Sequence, residues 1–129
     1  MTDTAKGRTT DMTVEWAPFR LRPGVGESAL LNASQELQAG FLARQPGFIR
    51  RELLRRDVTD FVDLVWWESR AAAETAMQQA GKSDPCARYF ALMDFDQPAA
   101  GANPAGVGVL HLETVATYAQ PSGNSWPNP

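Results

Sequence analysis

The hydrophobic pattern of the chain begins with a strand and then changes to a helix. Residues 12–22 predict the strand because β-branched and aromatic side chains recur there, and Pro18 indicates a bulge or a break in it. Over residues 27–45 the apolar positions instead recur on one face at helical spacing. These positions are Leu30, Ala33, Leu37 and Phe41. A Pro23-Gly24 turn therefore separates the two elements, and Pro46-Gly47 ends the helix.

The next two segments predict a β-hairpin. Residues 48–56 form its first strand, residues 57–60 the connection, and residues 61–68 its second strand. This second strand is apolar on both faces except for Asp63. Because a strand of this kind must be covered on both sides, we expect it to lie in the middle of the fold.

Two helices are predicted after the hairpin. Residues 70–80 form the first, with Ser69 as its N-cap. The second covers residues 85–94 and begins at Asp84-Pro85, an N-cap residue followed by a proline in the first helical turn. Its apolar side carries Cys86, Tyr89 or Phe90, and Met93.

The last segments complete the order of elements. Residues 97–106 predict a flexible loop and residues 107–118 a final strand, which gives the βαββαβ order of the ferredoxin-like α+β fold. This fold has a four-stranded antiparallel sheet with its helices on one face. The other face would expose apolar residues of the third strand. These are either Val62, Leu64 and Trp66 or Phe61, Val65 and Trp67. We therefore expect a homodimer through the sheet faces.

Composition excludes several classes of function. The 129 residues are 43% hydrophobic and 21% charged with a net charge of −3, which predicts neither nucleic-acid binding nor a membrane span. The single Cys excludes an internal disulfide, and the single His excludes a His-cluster metal site. Residues 12–119 are expected to fold as one domain between flexible tails at 1–11 and 120–129. The cytoplasm is the default compartment. The four Trp indicate an aromatic pocket or a large interface.

Four local features are similar to one known family. The first strand ends in Arg22-Pro23-Gly24, and the first helix ends in the turn Gln45-Pro46-Gly47-Phe48. The third strand closes with Trp67-Glu68-Ser69 directly before a helix, and a short aromatic helix over 86–93 precedes the last strand. With these features, residues 12–118 resemble the antibiotic biosynthesis monooxygenase family of the dimeric α+β-barrel superfamily.

The resemblance implies a homodimer in which each subunit keeps a pocket between its sheet and helices. It implies oxidation of a phenol-like, anthrone or quinol compound to a quinone by O₂, with no metal or flavin cofactor. The haem-degrading branch uses a His on the helix corresponding to residues 85–94, and no His is present there. The alternatives are a non-catalytic or regulatory small-ligand-binding dimer, and an isomerase or lyase on the same scaffold.

Trp67 and Asp63 are the first candidate site residues. They lie four apart in one strand, so they share a face at a distance of about 13 Å, while Trp66 points to the other face. The resemblance places Trp67 in the pocket, although both Trp residues could be core residues. It also places Asp63 where the monooxygenases often have an Asn. A carboxylate in a buried strand is a candidate base, and the alternatives are an Asp paired with an Arg or exposed near the hairpin.

His111 and Tyr89 complete the candidate site. A neutral imidazole in the last strand could accept a phenolic proton, whereas a satisfied core or interface His is the favoured alternative. Tyr89 could present its hydroxyl to a ligand, or Phe90 could face inward in its place. We therefore predict Asp63, Trp67 and His111 as catalytic residues, and Trp67 and Tyr89 as substrate-binding residues for a small aromatic ligand.

Two other features are assigned structural roles. Cys86 is expected to be a small core residue, because no activating motif lies near it. A group of arginines flanks the hairpin and could attract an anionic ligand, but charge that keeps an edge strand soluble is the favoured interpretation. These arginines are Arg50, Arg51, Arg55 and Arg56.

Overall fold

A computed structural model describes residues 12–97 and 109–121, which contain four strands and three α-helices. The strands are β1 (Thr13–Arg20), β2 (Phe48–Arg55), β3 (Asp60–Trp67) and β4 (Leu110–Glu113), and the helices are α1 (Glu27–Gly40), α2 (Arg70–Ala80) and α3 (Asp84–Phe90). All strand pairs are antiparallel, in the spatial order β2-β3-β1-β4. This arrangement confirms the predicted ferredoxin-like α+β fold. None of the helices in the two described ranges is long and apolar enough to cross a bilayer.

Several predicted boundaries differ from those of the structure. Helix α1 ends at Gly40 instead of residue 45, and a separate 3-10 turn, Leu42–Arg44, follows it. Strand β4 is shorter than predicted, because only Leu110–Glu113 pairs with β1. The predicted tails and the predicted loop lie outside the described residues, apart from residues 97, 120 and 121, as do the first two residues of the predicted last strand.

The predicted irregularity at Pro18 does not occur. The pairing of β1 with β3 runs through Pro18 and Val62 without a shift, and the irregularity lies instead in β2, between Phe48 and Arg50. Pro18 is tolerated because it lies beyond Trp16, the last residue of β1 that pairs with β4.

Both later helices begin with a serine cap. Ser69 Oγ accepts a hydrogen bond of 3.1 Å from the backbone N–H of Ala72, as the sequence predicts. In α3 the cap is Ser83, which accepts from Cys86 N at 3.2 Å, so the prediction of Asp84 as the N-cap is wrong by one residue. Asp84 lies instead in the first turn, where its charge interacts favourably with the helix dipole.

The two faces of the sheet differ in character. The side chains of Phe61, Val65 and Trp67 are buried in the core that the helices cover. The alternating residues of β3 therefore lie on the opposite face, which we call the open face. Its apolar members are Val14, Trp16, Leu54, Val62, Leu64, Trp66, Leu110 and Leu112. Leu54, Leu110 and Leu112 are among the exposed large hydrophobic residues of the chain.

Candidate active site

A cavity of about 450 Å³ lies between the helix-covered face of the sheet and the helices. Its walls are mostly apolar and aromatic, and the small side chains of Ala17 on β1 and of Ala76 and Ala80 on α2 leave space between the two layers. Trp67 and Tyr89 also line the cavity. A cavity of this size, apolar with a few polar groups, is typical of a site for a small organic ligand.

Three polar side chains form a buried cluster at the cavity wall. Arg51 Nε donates to Asp63 Oδ1 at 2.9 Å, and Tyr89 Oη donates to Asp63 Oδ2 at 2.6 Å. Arg51 Nη2 donates to Tyr89 Oη at 3.1 Å, which closes the triangle, and Arg51 Nη1 donates to the backbone oxygen of Ser34 at 3.3 Å. Each partner thus orients the other two, and both carboxylate oxygens of Asp63 are engaged.

Burial sets the protonation behaviour of this cluster. It raises the pKa of Asp63, against the opposing effects of the Arg51 guanidinium and the Tyr89 hydroxyl. Burial and the nearby Asp63 carboxylate also raise the pKa of Tyr89, so its phenol stays protonated and acts as a donor. Because a guanidinium does not give up its proton in proteins, the cluster is held as an ion pair with a neutral phenol.

A second polar group lies where β1 is flanked by β3 and β4. Trp67 Nε1 donates to Glu15 Oε1 at 3.2 Å, and His111 Nε2 lies 3.5 Å from the same oxygen. The side chains of His111 and Glu15 are only 10% and 19% exposed. Within the described part of the chain His111 Nε2 is buried without a hydrogen-bond partner. Glu15 lines the cavity directly, and His111 lies beside it.

The carboxyl group of Glu15 has the features of a proton acceptor. Burial raises its pKa, the nearby His111 and the Trp67 hydrogen bond lower it, and the negative charge of Asp63 raises it further. A carboxylate with a raised pKa at the wall of an apolar cavity binds a proton more strongly than one in water. It is therefore suited to take a proton from a bound ligand.

The structure brings three of the four predicted site residues to the cavity. Trp67, Asp63 and Tyr89 line it, and Trp66 points to the open face as predicted. Tyr89, 1% exposed, is the inward-facing residue of α3, while Phe90 is 42% exposed at the cavity rim. His111 is held next to Glu15 and is not itself part of the cavity lining.

Two residues of the cavity wall are not predicted as site residues from the sequence. The interpretation of Arg51 as a solubilising charge is wrong, because its side chain is only 6% exposed and pairs with Asp63. This pair matches one of the alternatives considered for Asp63. The sequence pattern does not single out Glu15, although its position shares the strand face of Phe19, a buried core residue. The alternation groups Glu15 with Phe19, but only the structure shows that the helices cover this face.

Cys86 lies in the cavity wall as a buried thiol, and burial raises its pKa. A raised pKa keeps the thiol protonated, which agrees with the predicted role as a small core residue. Over the described ranges, no three side chains of His, Cys, Asp or Glu come close enough together to hold a metal ion.

The described part of the chain is thus a ferredoxin-like α+β domain with an apolar cavity whose wall carries a few polar groups. The chain belongs to the antibiotic biosynthesis monooxygenase family, whose sequence profile matches residues 12–87. No curated protein matches the chain significantly.

Several solved structures share this fold. SnoaB, a cofactor-independent oxygenase from Streptomyces nogalater, is 22% identical with a TM-score of 0.59, and the match covers 86% of this chain and 98% of SnoaB. A candidate antibiotic biosynthesis monooxygenase from Bordetella bronchiseptica is 17% identical with a TM-score of 0.63, covering 82% of this chain and 99% of its own. One from Caulobacter crescentus is 20% identical with a TM-score of 0.56, covering 83% and 92%. At these identities the likeness establishes the fold alone.

Proposed function

We propose that this protein is a cofactor-independent monooxygenase that oxidises a small aromatic compound of the anthrone, quinol or polyketide type with O₂. The observation that carries the proposal is the apolar cavity of about 450 Å³, whose wall holds a few polar groups. Family membership supports an oxygenase, and SnoaB offers an example of a cofactor-independent oxygenase on the same fold.

The proposed reaction uses the electron-rich substrate itself as the reductant of O₂. A base in the cavity wall takes a proton from a ring-activated CH₂ group, and the resulting anion gives one electron to O₂. The substrate radical and superoxide combine to form a C–O bond, and the returned proton gives a hydroperoxide. Loss of the remaining C–H proton with cleavage of the O–O bond releases water and leaves a carbonyl group. The balance is R₂CH₂ + O₂ → R₂C=O + H₂O.

The cavity residues have distinct proposed roles in this reaction. Trp67 and Tyr89 bind the ring system, and the dry apolar walls protect the radical pair from water. Asp63, with Arg51 and Tyr89, forms a fixed polar group at the wall that orients the oxygen-bearing edge of the substrate. His111 takes part in proton transfer through its buried nitrogen beside Glu15.

The open face supports a homodimer as the working form. This face carries Trp16, Leu64 and Trp66 together with exposed leucines such as Leu112. An apolar patch of this kind, bordered on β2 by Glu52 and by Arg50 over the Trp66 ring, is rarely left to solvent, and a second copy offers a face of matching size and character. We propose that two sheets pack face to face and leave one cavity in each subunit.

Oxygen uptake with a panel of anthrones, quinols and catechols, in the presence of a metal chelator, tests the function. We expect stoichiometric O₂ consumption and quinone formation with at least one compound. In Ala76→Leu, which fills the cavity, turnover should fall by about tenfold or more, while Ala71→Leu, at an exposed position of the same helix, serves as the control. Binding without O₂ uptake would contradict the proposal and favour a ligand-binding protein.

A further inference from the structure

The two carboxylates of the cavity wall are held in different ways. Both oxygens of Asp63 accept charge-assisted or short hydrogen bonds, from Arg51 and from Tyr89. Among the described residues, Glu15 accepts a single hydrogen bond, from the Trp67 indole, on one of its two oxygens. One oxygen of Glu15 therefore has no hydrogen-bond donor among the described residues, whereas each oxygen of Asp63 already accepts one.

From this difference we infer that Glu15 is the catalytic base of the cavity, and that His111 exchanges the proton between Glu15 and the surroundings. The inference rests on the proposed oxygenase function, because the base that it names would perform the first step of that reaction. Asp63 then has a positioning role, through Arg51 and Tyr89. This assignment replaces Asp63 as the base and makes His111 a partner of the base.

Burial raises the pKa of Asp63 as it does that of Glu15, but protonation of Asp63 carries a cost that protonation of Glu15 does not. The Arg51 side chain is 6% exposed, and Asp63 is its only partner of opposite charge among the described contacts. A neutral Asp63 would leave a buried guanidinium without a counter-charge, and Tyr89 would lose the acceptor of its O–H. Among the described contacts Glu15 has no arginine or lysine partner to leave unpaired; the groups that approach it there are the Trp67 indole N–H and the His111 imidazole.

His111 is placed to relay the proton. It pairs directly with Glu15 across β1 and β4, and its Nε2 lies 3.5 Å from Glu15 Oε1 without a hydrogen bond to any described residue. A small shift of either side chain brings the two atoms to hydrogen-bond distance. Of the other charged groups near Glu15, Asp63 on β3 favours protonation of its carboxylate, which raises its pKa.

The sheet register also orients the substrate. Glu15 on β1 and Arg51 on β2 both pair with Val65 on β3, so the three residues form a row across the cavity floor. The outer two are separated by two strand spacings, or about 10 Å. A fused-ring ketone lying over Val65 has room for its acidic CH₂ at Glu15 and its carbonyl oxygen toward Arg51 and Tyr89. Proton loss at one edge then moves negative charge onto the carbonyl oxygen, which lies on the Arg51 side of the row and away from the Glu15 carboxylate.

The proposed step is a proton transfer in both directions. The Glu15 carboxylate accepts H⁺ from the substrate CH₂, which leaves the electron pair in the ring system and gives a neutral carboxylic acid. After the anion has reduced O₂ and the C–O bond has formed, the proton returns to the peroxide oxygen. When the proton leaves the cavity instead of returning to the substrate, the His111 imidazole accepts it from Glu15 and so restores the carboxylate.

Hydrogen exchange under anaerobic conditions tests this step apart from oxygen chemistry. The probe is dithranol, a tricyclic anthrone, and the readout is deuterium uptake at its CH₂ group in D₂O. We expect the wild type to catalyse exchange and Glu15→Gln to lose about 10²- to 10⁴-fold in rate, with anthraquinone binding changed by only a few-fold. Glu74→Gln, at an exposed position of α2, is the matched control and should exchange at the wild-type rate.

The relay has its own readout. His111→Ala should slow exchange, and added imidazole should restore it, because a free base can replace the missing side chain. A purely structural role of His111 predicts no such rescue. If Glu15→Gln does not fold, the wild-type exchange rate must still fall on the acid side as a single carboxylate is protonated.

The outcomes separate the inference from the proposed function. Full exchange in folded Glu15→Gln, or no effect of acid on the wild type, overturns the inference while oxygen uptake can stand. Exchange that depends on Glu15 without O₂ uptake upholds the base and overturns the oxygenase. A wild type that does neither with dithranol or the rest of the anthrone and quinol panel overturns both.

Discussion

Arg51 Nε donates a hydrogen bond of 2.9 Å to Asp63 Oδ1 in the interior of the protein, where the two side chains are only 6% and 9% exposed. The pair joins β2 to β3 at the cavity wall, and Tyr89 ties it to α3. Two buried charges that neutralise each other make the integrity of this wall depend on both partners.

Arg51→Met is therefore expected to destabilise the protein strongly. The substitution keeps the length and apolar packing of the side chain but leaves Asp63 with an uncompensated buried carboxylate, which typically costs about 3–5 kcal/mol. Urea unfolding followed by circular dichroism measures this loss. Arg55→Met is the matched control, because Arg55 lies in the same strand with an exposed partner, Glu27. A loss no larger than that of the control would contradict a buried ion pair.

The destabilisation by Arg51→Met should also depend on pH. Burial already raises the pKa of Asp63, and removing the guanidinium that opposes this effect raises it further. A carboxyl group whose folded pKa exceeds its unfolded pKa favours folding at low pH, and this contribution is lost as pH rises through the folded value. The difference in free energy of unfolding from the wild type should therefore be smaller at about pH 5 than at about pH 8. A difference independent of pH would show that Asp63 does not lose its proton in the variant.

The fold could be read from the sequence because its elements are encoded locally. The nearly continuous apolar run of β3 and the Ser69 cap of α2 are recognisable without knowledge of the rest of the chain. The site could be predicted from the sequence only in part, because the burial of a charged residue depends on its position in the sheet. Arg51 and Arg55 both read as solubilising charges, and only the packing of the helices over the sheet distinguishes the buried one from the exposed one.

Glu15 is a second residue whose burial could not be predicted from the sequence alone. Its place in β1 between Val14 and Trp16 gives no indication of which neighbour faces the helices. The register with β3 settles this point, since Glu15 pairs with the buried Val65. The length of β4 was overpredicted because β-branched residues continue past Glu113, although pairing with β1 ends there.

Leu64→Glu should separate the proposed dimer. Leu64 lies at the centre of the open face, between Glu52 of β2 and Trp16 of β1, and a second carboxylate there would be buried between two sheets directly opposite the Glu52 carboxylate. Sedimentation equilibrium at micromolar concentration should give a dimeric mass for the wild type and a monomeric mass for the variant. Leu31→Glu, at a position of α1 that is 47% exposed, should remain dimeric. A monomeric wild type would contradict the proposed assembly.

Trp67→Phe and Trp66→Phe should have different effects, because the two indoles point to opposite faces of β3. Trp66→Phe should weaken dimerisation while leaving turnover close to that of the wild type.

Trp67→Phe removes the N–H that donates to Glu15, a hydrogen bond that lowers the pKa of this carboxyl group. Glu15 must be ionised to accept a proton, so activity falls as pH drops through its pKa. We therefore expect the acid limb of the kcat/KM profile to move to higher pH in Trp67→Phe and to stay in place in Trp66→Phe. Oxygen uptake with dithranol between about pH 4 and pH 9 measures the acid limb of both variants. An acid limb that does not move in Trp67→Phe would mean that the ionisation controlling activity belongs to a group other than Glu15.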